Sequence, residues 1–187
     1  MIEAFVAVMD TQPEGLIGNK ESQDFVNVPS SLHEVINSPS DITEKKAANV
    51  ISCINERFEG SEHDKTSIEY IRKEVEMSDG EIKEGVFPVF DSAFDAHLDK
   101  PQYEQSDAKH FKEANSQLKE AIENNPEMGD KFTAEQLEQI EFNDTPDGYT
   151  WHHSEDAGQL QLVDSMVHAQ SGHTGGRSIW GGGSENR

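Results

Sequence analysis

The spacing of apolar residues predicts that the first part of the chain is mainly helical. Asp41 and Glu44 form a capping-box pattern, and the apolar residues after it follow helical spacing as far as Gly60. A second stripe of apolar residues predicts a helix over roughly 67–77, ended by Gly80. The residues of this second stripe are Ile68, Ile71 and Val75.

The pattern changes beyond residue 80. The apolar run at 85–90 is interrupted by a proline, which favours an edge strand or a buried loop. An amphipathic stretch over 107–123 predicts a helix capped by Ser106. Thr133 and Gln136 form another capping box and open a short helix.

The C-terminal part predicts a strand–turn–strand–helix unit. Turn-forming residues at 143–148 precede Tyr149–His153, which is aromatic and strand-prone. Residues 154–158 are typical of a hairpin loop, and 159–163 alternate as a second strand. A short helix that contains His168 follows.

These elements predict an α+β protein with a mostly helical N-terminal part and an approximate domain boundary near residue 80. Within 1–80 the patterns before residue 40 are weak: 25–28 favour a strand and 32–36 a helix. We expect a second domain over 81–180 and a disordered tail at 181–187, where glycines precede polar residues.

Charge and cysteine content narrow the classes of function. The formal net charge is −22, divided as −9 over 1–80, −11 over 81–150 and −2 over 151–187. Such a chain is a poor generic binder of nucleic acids or anionic membranes, because phosphate affinity comes from Lys and Arg. The single cysteine, Cys53, excludes an intramolecular disulfide and a cysteine-based zinc site.

Residues 1–10 carry no basic region and too short an apolar run to predict a signal peptide, and the sequence has no apolar stretch long enough to predict a membrane span. We therefore expect synthesis in the cytoplasm, with export by a specialised machine if the protein leaves the cell.

Four of the eight histidines lie between His152 and His173, in the nearly neutral part of the chain. Imidazole is the commonest metal ligand and titrates near neutral pH. His152 and His153 are adjacent on a strand and must point to opposite faces, so we expect one to be a ligand and the other a base. His168 and His173 reach one ion only if Gly172 breaks the helix between them.

The other four histidines are expected on the surface or in structural roles: His33, His63, His97 and His110.

This ordered set of motifs resembles the WHH branch of the HNH/endonuclease VII nucleases, which occurs as toxin modules of bacterial polymorphic toxins. The dense part of the resemblance covers 148–176, and weaker similarity extends upstream. The segments that carry it are Gly148–His153, Gln161–Val163, His168 and His173–Gly176, with Gly85–Pro88 and Asp107–Asn115 upstream.

The resemblance implies a ββα-metal finger, similar to a treble clef, that grips one divalent ion: Mg, Mn, Ni or Zn. It implies His152 and His168 as ligands, and His173 as a third ligand or a contact to the scissile phosphate. It also implies His153 as the general base that deprotonates the attacking water, with Arg177 bracing a phosphate oxygen.

The same resemblance implies an endonuclease that cleaves nucleic acid, with DNA as the expected substrate, and that acts as an antibacterial toxin domain. A cognate immunity protein and a secretion-system carrier follow as partners. Synthesis in the bacterial cytoplasm, specialised secretion and action in the cytoplasm of the target cell follow as well. Two alternatives stay open. The protein could be a non-catalytic acidic binding module with a structural metal ion, or a nuclease whose residues 1–80 act as a delivery piece that docks it or as an autoinhibitory piece that occludes its site.

Overall fold

The computed structural model describes residues 50–186. In this part of the chain, two three-stranded antiparallel sheets pack with four α-helices, so the fold class is α+β as predicted. The elements predicted for 25–28 and 32–36, and the capping box at Asp41, lie outside the described residues. None of the described helices is long and apolar enough to cross a membrane.

The first sheet has the order β1-β2-β3, with β1 at Ser61–Glu62, β2 at Glu69–Glu76 and β3 at Ile82–Pro88. The predicted helix over 67–77 is therefore wrong. Tyr70 and Val75 of β2 are buried, whereas Ile71 is exposed, so the apolar stripe is not a helical face.

The segment is a strand because residues 70–76 of β2 pair with β3, from Tyr70 opposite Pro88 to Glu76 opposite Ile82. Gly80, predicted to end a helix, instead has a positive φ of 83° in the turn between the two strands. Strands β2 and β3, which lie on either side of residue 80, thus belong to one sheet.

The helix predicted to run from the Asp41 capping box to Gly60 is also wrong in its described part. Val50 forms a parallel bridge with Glu84, and only Glu56–Phe58 are helical, in a single 3-10 turn. Asn55 has a positive φ of 66°, which an α-helix does not accommodate. β3 itself confirms the predicted edge strand, because it lies at the border of its sheet with its C-terminal half buried.

Helix α1, Asp107–Asn124, and helix α2, Ala134–Glu141, confirm the helices predicted for this region. Ser106 is at the N-cap of α1, although its side chain makes no capping bond. At α2 the capping box is complete: the Gln136 N–H donates to Thr133 Oγ1, and the Thr133 N–H donates to Gln136 Oε1.

The second sheet has the order β4-β6-β5. Its strands are β4 at Ser92–His97, β5 at Tyr149–His153 and β6 at Gln159–Asp164, so the predicted hairpin is confirmed. Leu160 and Leu162 of the central strand are fully buried and belong to the same core cluster as Leu118 of α1 and Trp151, which places the hairpin in the main core.

Two short helices follow the hairpin: α3 at Ser165–Gln170 and α4 at Gly176–Ile179. The segment 181–187, predicted to be a disordered tail, contains a 3-10 helix at Gly183–Asn186.

Candidate metal centre and acid–base site

His152 and His153 end strand β5 and are both buried, at 2% and 9% exposed. Trp151 anchors the strand before them: its indole N–H donates to Asn115 Oδ1 over 2.7 Å. As predicted, the alternation of the strand directs the two imidazoles to different neighbours. His152 joins one group of side chains and His153 another.

The first group, which we call the histidine triad, consists of His152, His168 and His173. One potential ligand nitrogen from each lies within 4.8 Å of the others. His173 Nε2 is 3.1 Å from His152 Nδ1. Phe90 contacts all three rings, with centroid distances of 4.8, 5.5 and 5.3 Å, and forms an apolar wall behind them.

The break between α3 and His173 makes this convergence possible. The Asp164 carboxylate caps α3 by accepting the Val167 N–H over 2.8 Å, and the helix ends at Gln170, two residues before Gly172. His168 therefore projects from the helix, while His173 returns from an irregular segment.

All three imidazoles are held neutral. Burial, followed by the nearby His173 and His168 rings, keeps the pKa of His152 well below its ordinary 6.5. Burial and the neighbouring His173 lower the pKa of His168 to about 4. Burial also lowers the pKa of His173. Neutral imidazoles keep the lone pairs that bind a metal.

The donor set of the triad fits a divalent metal ion. His173 Nδ1 lies 3.1 Å from the Ser171 carbonyl oxygen, so it carries the proton and leaves Nε2 as a lone pair. His152 Nε2 is buried and has no hydrogen-bond partner among the described residues. Such an orphaned polar atom is costly unless something binds it.

The second group, which we call the base cluster, consists of Asp107, His110, His153 and Arg177. His153 Nε2 lies 2.9 Å from His110 Nδ1 and 3.7 Å from Asp107 Oδ1. Arg177 Nε lies 3.1 Å from the same carboxylate oxygen, and Arg177 Nη1 lies 3.3 Å from His110 Nδ1.

The buried guanidinium makes the base cluster a poor metal site, although three of its members lie close enough together to ligate an ion. Arg177 places a permanent positive charge against both Asp107 and His110. Its own position is fixed by donation to the Tyr103 and Gln105 carbonyl oxygens, at 3.2 and 2.6 Å. A metal ion there would lie beside this cation.

Hydrogen bonds assign the tautomers in the base cluster. His110 Nε2 lies 2.7 Å from the Gln102 carbonyl oxygen, which can only accept, so Nε2 carries the proton. Burial, with a smaller contribution from Arg177, lowers the pKa of His110 and keeps it neutral. His110 Nδ1 is therefore an acceptor, and His153 Nε2–H donates to it. In the uncharged form of His153 the lone pair is then on Nδ1.

One cavity of about 340 Å³ joins the two groups. A reactant in it would contact the histidine triad and the base cluster together. Its walls include Asp107, His152, His153, His168, His173 and Arg177.

The family model described as the DNase/tRNase domain of colicin-like bacteriocin matches residues 79–175, just over half of the chain. The chain belongs to this family. It therefore carries a nuclease toxin domain, which agrees with the coarse resemblance seen in the sequence. No curated protein and no solved structure matches the chain significantly.

The family match covers the whole histidine triad and three members of the base cluster, and it ends two residues before Arg177. The five predicted site residues of the nuclease domain all line the shared cavity: His152, His153, His168, His173 and Arg177.

Sequence reasoning missed Asp107 and His110. His110, expected in a surface or structural role, is 1% exposed and contacts His153. The signal was present in α1, because His110, Ala114 and Leu118 follow one another at spacings of four and all are buried. Of the other scattered histidines, His63 is buried and His97 is exposed, while His33 lies outside the described residues.

Proposed function

We propose that this toxin domain is a metal-dependent endonuclease of the HNH type, in its WHH variant, which hydrolyses phosphodiester bonds and acts on DNA. The observation that carries the proposal is the pairing on β5: a neutral histidine triad with an orphaned nitrogen shares one cavity with an oriented histidine base. A site of this kind can bind a phosphate and activate water next to it.

The histidine triad would hold one divalent ion through His152, His168 and His173. When bound, the ion supplies Lewis-acid stabilisation of the charge that develops on the phosphate and the leaving oxygen. Three imidazoles favour Zn²⁺ or Ni²⁺ over Mg²⁺, because Mg²⁺ prefers oxygen ligands. They also accept Mn²⁺.

His153 would act as the general base, because its Nδ1 lone pair can accept a proton from the attacking water. His110 holds this tautomer by accepting from His153 Nε2–H, and the Gln102 carbonyl oxygen in turn fixes His110. Arg177, buried in the cavity wall, would supply a fixed positive charge close to an entering phosphate oxygen.

The direct test is cleavage of supercoiled plasmid by the purified protein with Zn²⁺, Ni²⁺, Mn²⁺ or Mg²⁺. His153→Ala should lower the rate by about 10²–10⁴-fold, the range for loss of a general base. His97→Ala is the matched control, because His97 is exposed on β4. Equal rates for wild type and His153→Ala would refute the mechanism. RNA in a parallel assay decides the substrate.

As a toxin, the protein would need an immunity protein in the producing cell and a secretion system with its carrier. The net charge of −22 favours a neutral or basic inhibitor, because like charges oppose association. The inhibitor that blocks cleavage should therefore bind more weakly as salt is raised. Tight inhibition by a strongly acidic protein alone would contradict this.

A further inference from the structure

Residues 50–78 lie outside the family match, yet they contact the segment that carries His173. The Asn55 side-chain amide donates to the Gly172 carbonyl oxygen over 2.7 Å. The Tyr70 hydroxyl lies 2.8 Å from the Ser171 carbonyl oxygen and 2.9 Å from that of Gly172. We call these two donors the carbonyl clamp.

The clamped segment needs such donors. Between α3 and α4 the backbone at 171–174 has no regular structure, and none of the described backbone N–H groups donates to the Ser171 or Gly172 carbonyl oxygen. Two further bonds tie the same segment to the first half of the described chain. Thr66 Oγ1 is 2.8 Å from Ser171 Oγ, and the Ile54 N–H donates to Thr174 Oγ1 over 3.0 Å.

The clamp reaches the histidine triad through one atom. The Ser171 carbonyl oxygen accepts from the Tyr70 hydroxyl and also from His173 Nδ1–H, so one oxygen joins the clamp to the imidazole. A carbonyl oxygen has two lone pairs and can accept both bonds. The donor groups around a ligand histidine set its ring orientation and its affinity for metal.

Tyr70 is a rigid anchor for this purpose. It is 0% exposed, it lies in β2 paired with β3, and its ring packs against Phe58 and His63. Burial raises the pKa of its phenol above the ordinary 10, so the hydroxyl stays a donor.

We propose that Tyr70 and Asn55 are positioning residues for the metal centre: by holding the Ser171 and Gly172 carbonyl groups they aim His173 at the ion. The proposal rests on the metal-binding role proposed for the histidine triad. It means that the first sheet completes a site whose ligands all lie in the family segment.

The test is Zn²⁺ affinity, measured by isothermal titration calorimetry on the full chain at a temperature where circular dichroism shows every variant folded. Tyr70→Phe keeps the ring and removes the hydroxyl, and it should weaken Zn²⁺ binding about tenfold, the lower end for a group supporting a ligand. Tyr149→Phe is the matched control, since the Tyr149 phenol makes no hydrogen bond among the described residues, and its affinity should be unchanged.

Asn55→Gly provides an independent arm, because glycine accepts the positive φ of 66° at this partly exposed position while the amide donor is lost. It should also weaken Zn²⁺ binding. A role confined to stability would lower the melting temperature of both variants and leave the affinity of the folded protein unchanged, which would overturn the proposal.

His168→Ala separates the two possible failures. If it abolishes Zn²⁺ binding while Tyr70→Phe and Asn55→Gly bind like wild type, the metal centre stands and the clamp is refuted. If wild type and His168→Ala bind Zn²⁺ equally, the triad is not the metal site, and the proposed function and the clamp both fail.

Discussion

The protonation of single histidines determines what this site can do. In the base cluster, one backbone carbonyl at Gln102 fixes His110, and His110 then fixes His153. His110 orients His153 without adding charge, because burial lowers the pKa of His110 and keeps it neutral.

Replacing His110 should therefore slow the reaction. His110→Leu removes the acceptor for His153 Nε2–H and should lower kcat by about ten- to a hundredfold, a part of the full effect of a general base. His110→Asn is similar in size and keeps an oxygen near the Nδ1 position, so it should restore part of the rate. KM and Zn²⁺ affinity should change little in either variant.

Steady-state kinetics on plasmid, together with the nitrogen-15 spectrum of His153, would check this prediction. The spectrum should show the proton on Nε2 in wild type and a mixture of tautomers in His110→Leu. A leucine variant as active as the asparagine variant would contradict it.

The lowered pKa values of the triad predict a pH dependence of stability. Each histidine binds a proton more weakly in the folded protein than in the unfolded chain. Their contribution is therefore fully present above the unfolded pKa near 6.5, and it is lost as pH falls from there towards the folded pKa, about 4 for His168.

We expect the urea midpoint of the metal-free protein to show this loss between pH 7 and pH 4.5, and to show less of it in His168→Gln. The comparison with the variant is needed because protonating the many carboxylates relieves repulsion in both proteins. An identical pH profile for the two proteins would argue against a half-buried, neutral His168.

At the scale of elements, short sequence patterns predicted the elements that are stabilised by interactions between residues close in sequence. The hairpin at 149–163 and the helix over 107–123 were found because turn residues, alternation and capping boxes act within a few positions. The four histidines of the hairpin and the following segment were predicted for the same reason.

The first sheet could not be read in this way. Strand β2 is stabilised by pairing with β3 and by burial of Tyr70, and neither interaction produces a pattern within a short window of sequence. The link between His110 and His153 spans 43 positions and exists only once α1 packs on β5. The contacts of Tyr70 with Ser171 and Gly172 span about a hundred positions.

This sheet predicts the outcome of truncation. A chain of residues 81–187 retains all three histidines of the triad but leaves β3 without β2 and exposes Phe87, which is fully buried in the intact protein. It also loses Lys73, whose amino group is 2.5 Å from the buried carboxylate of Glu155 in the hairpin loop. We expect this fragment to be unfolded or aggregated.

Residues 50–187 keep both sheets and both site groups, so this longer fragment should fold and cleave nucleic acid. Circular dichroism and the plasmid assay on the two fragments would check this pair of expectations. A folded, active 81–187 would show that β1 and β2 are dispensable.

The balance of charge matters at the scale of the whole molecule. A net charge of −22 repels a polyanion, and several of the described cations are already engaged by acids. Arg72, Lys73, Lys83, Lys119 and Arg177 each lie within 4 Å of a carboxylate. If the proposed metal centre holds, substrate binding should depend on its ion and on a small number of positive groups.

This predicts a weak dependence of activity on salt. When a protein neutralises Z phosphates, the logarithm of its affinity for duplex DNA falls with log[salt] at a slope of about −0.9Z. With few phosphate contacts the slope of log(1/KM) should be shallower than about −2, and screening of the repulsion should flatten it further. KM for plasmid cleavage, measured from 50 to 300 mM KCl at constant metal concentration, would give this slope directly. A slope of about −5 or steeper would mean that a basic surface binds the substrate, and that the acidic character of the chain does not govern its encounter with nucleic acid.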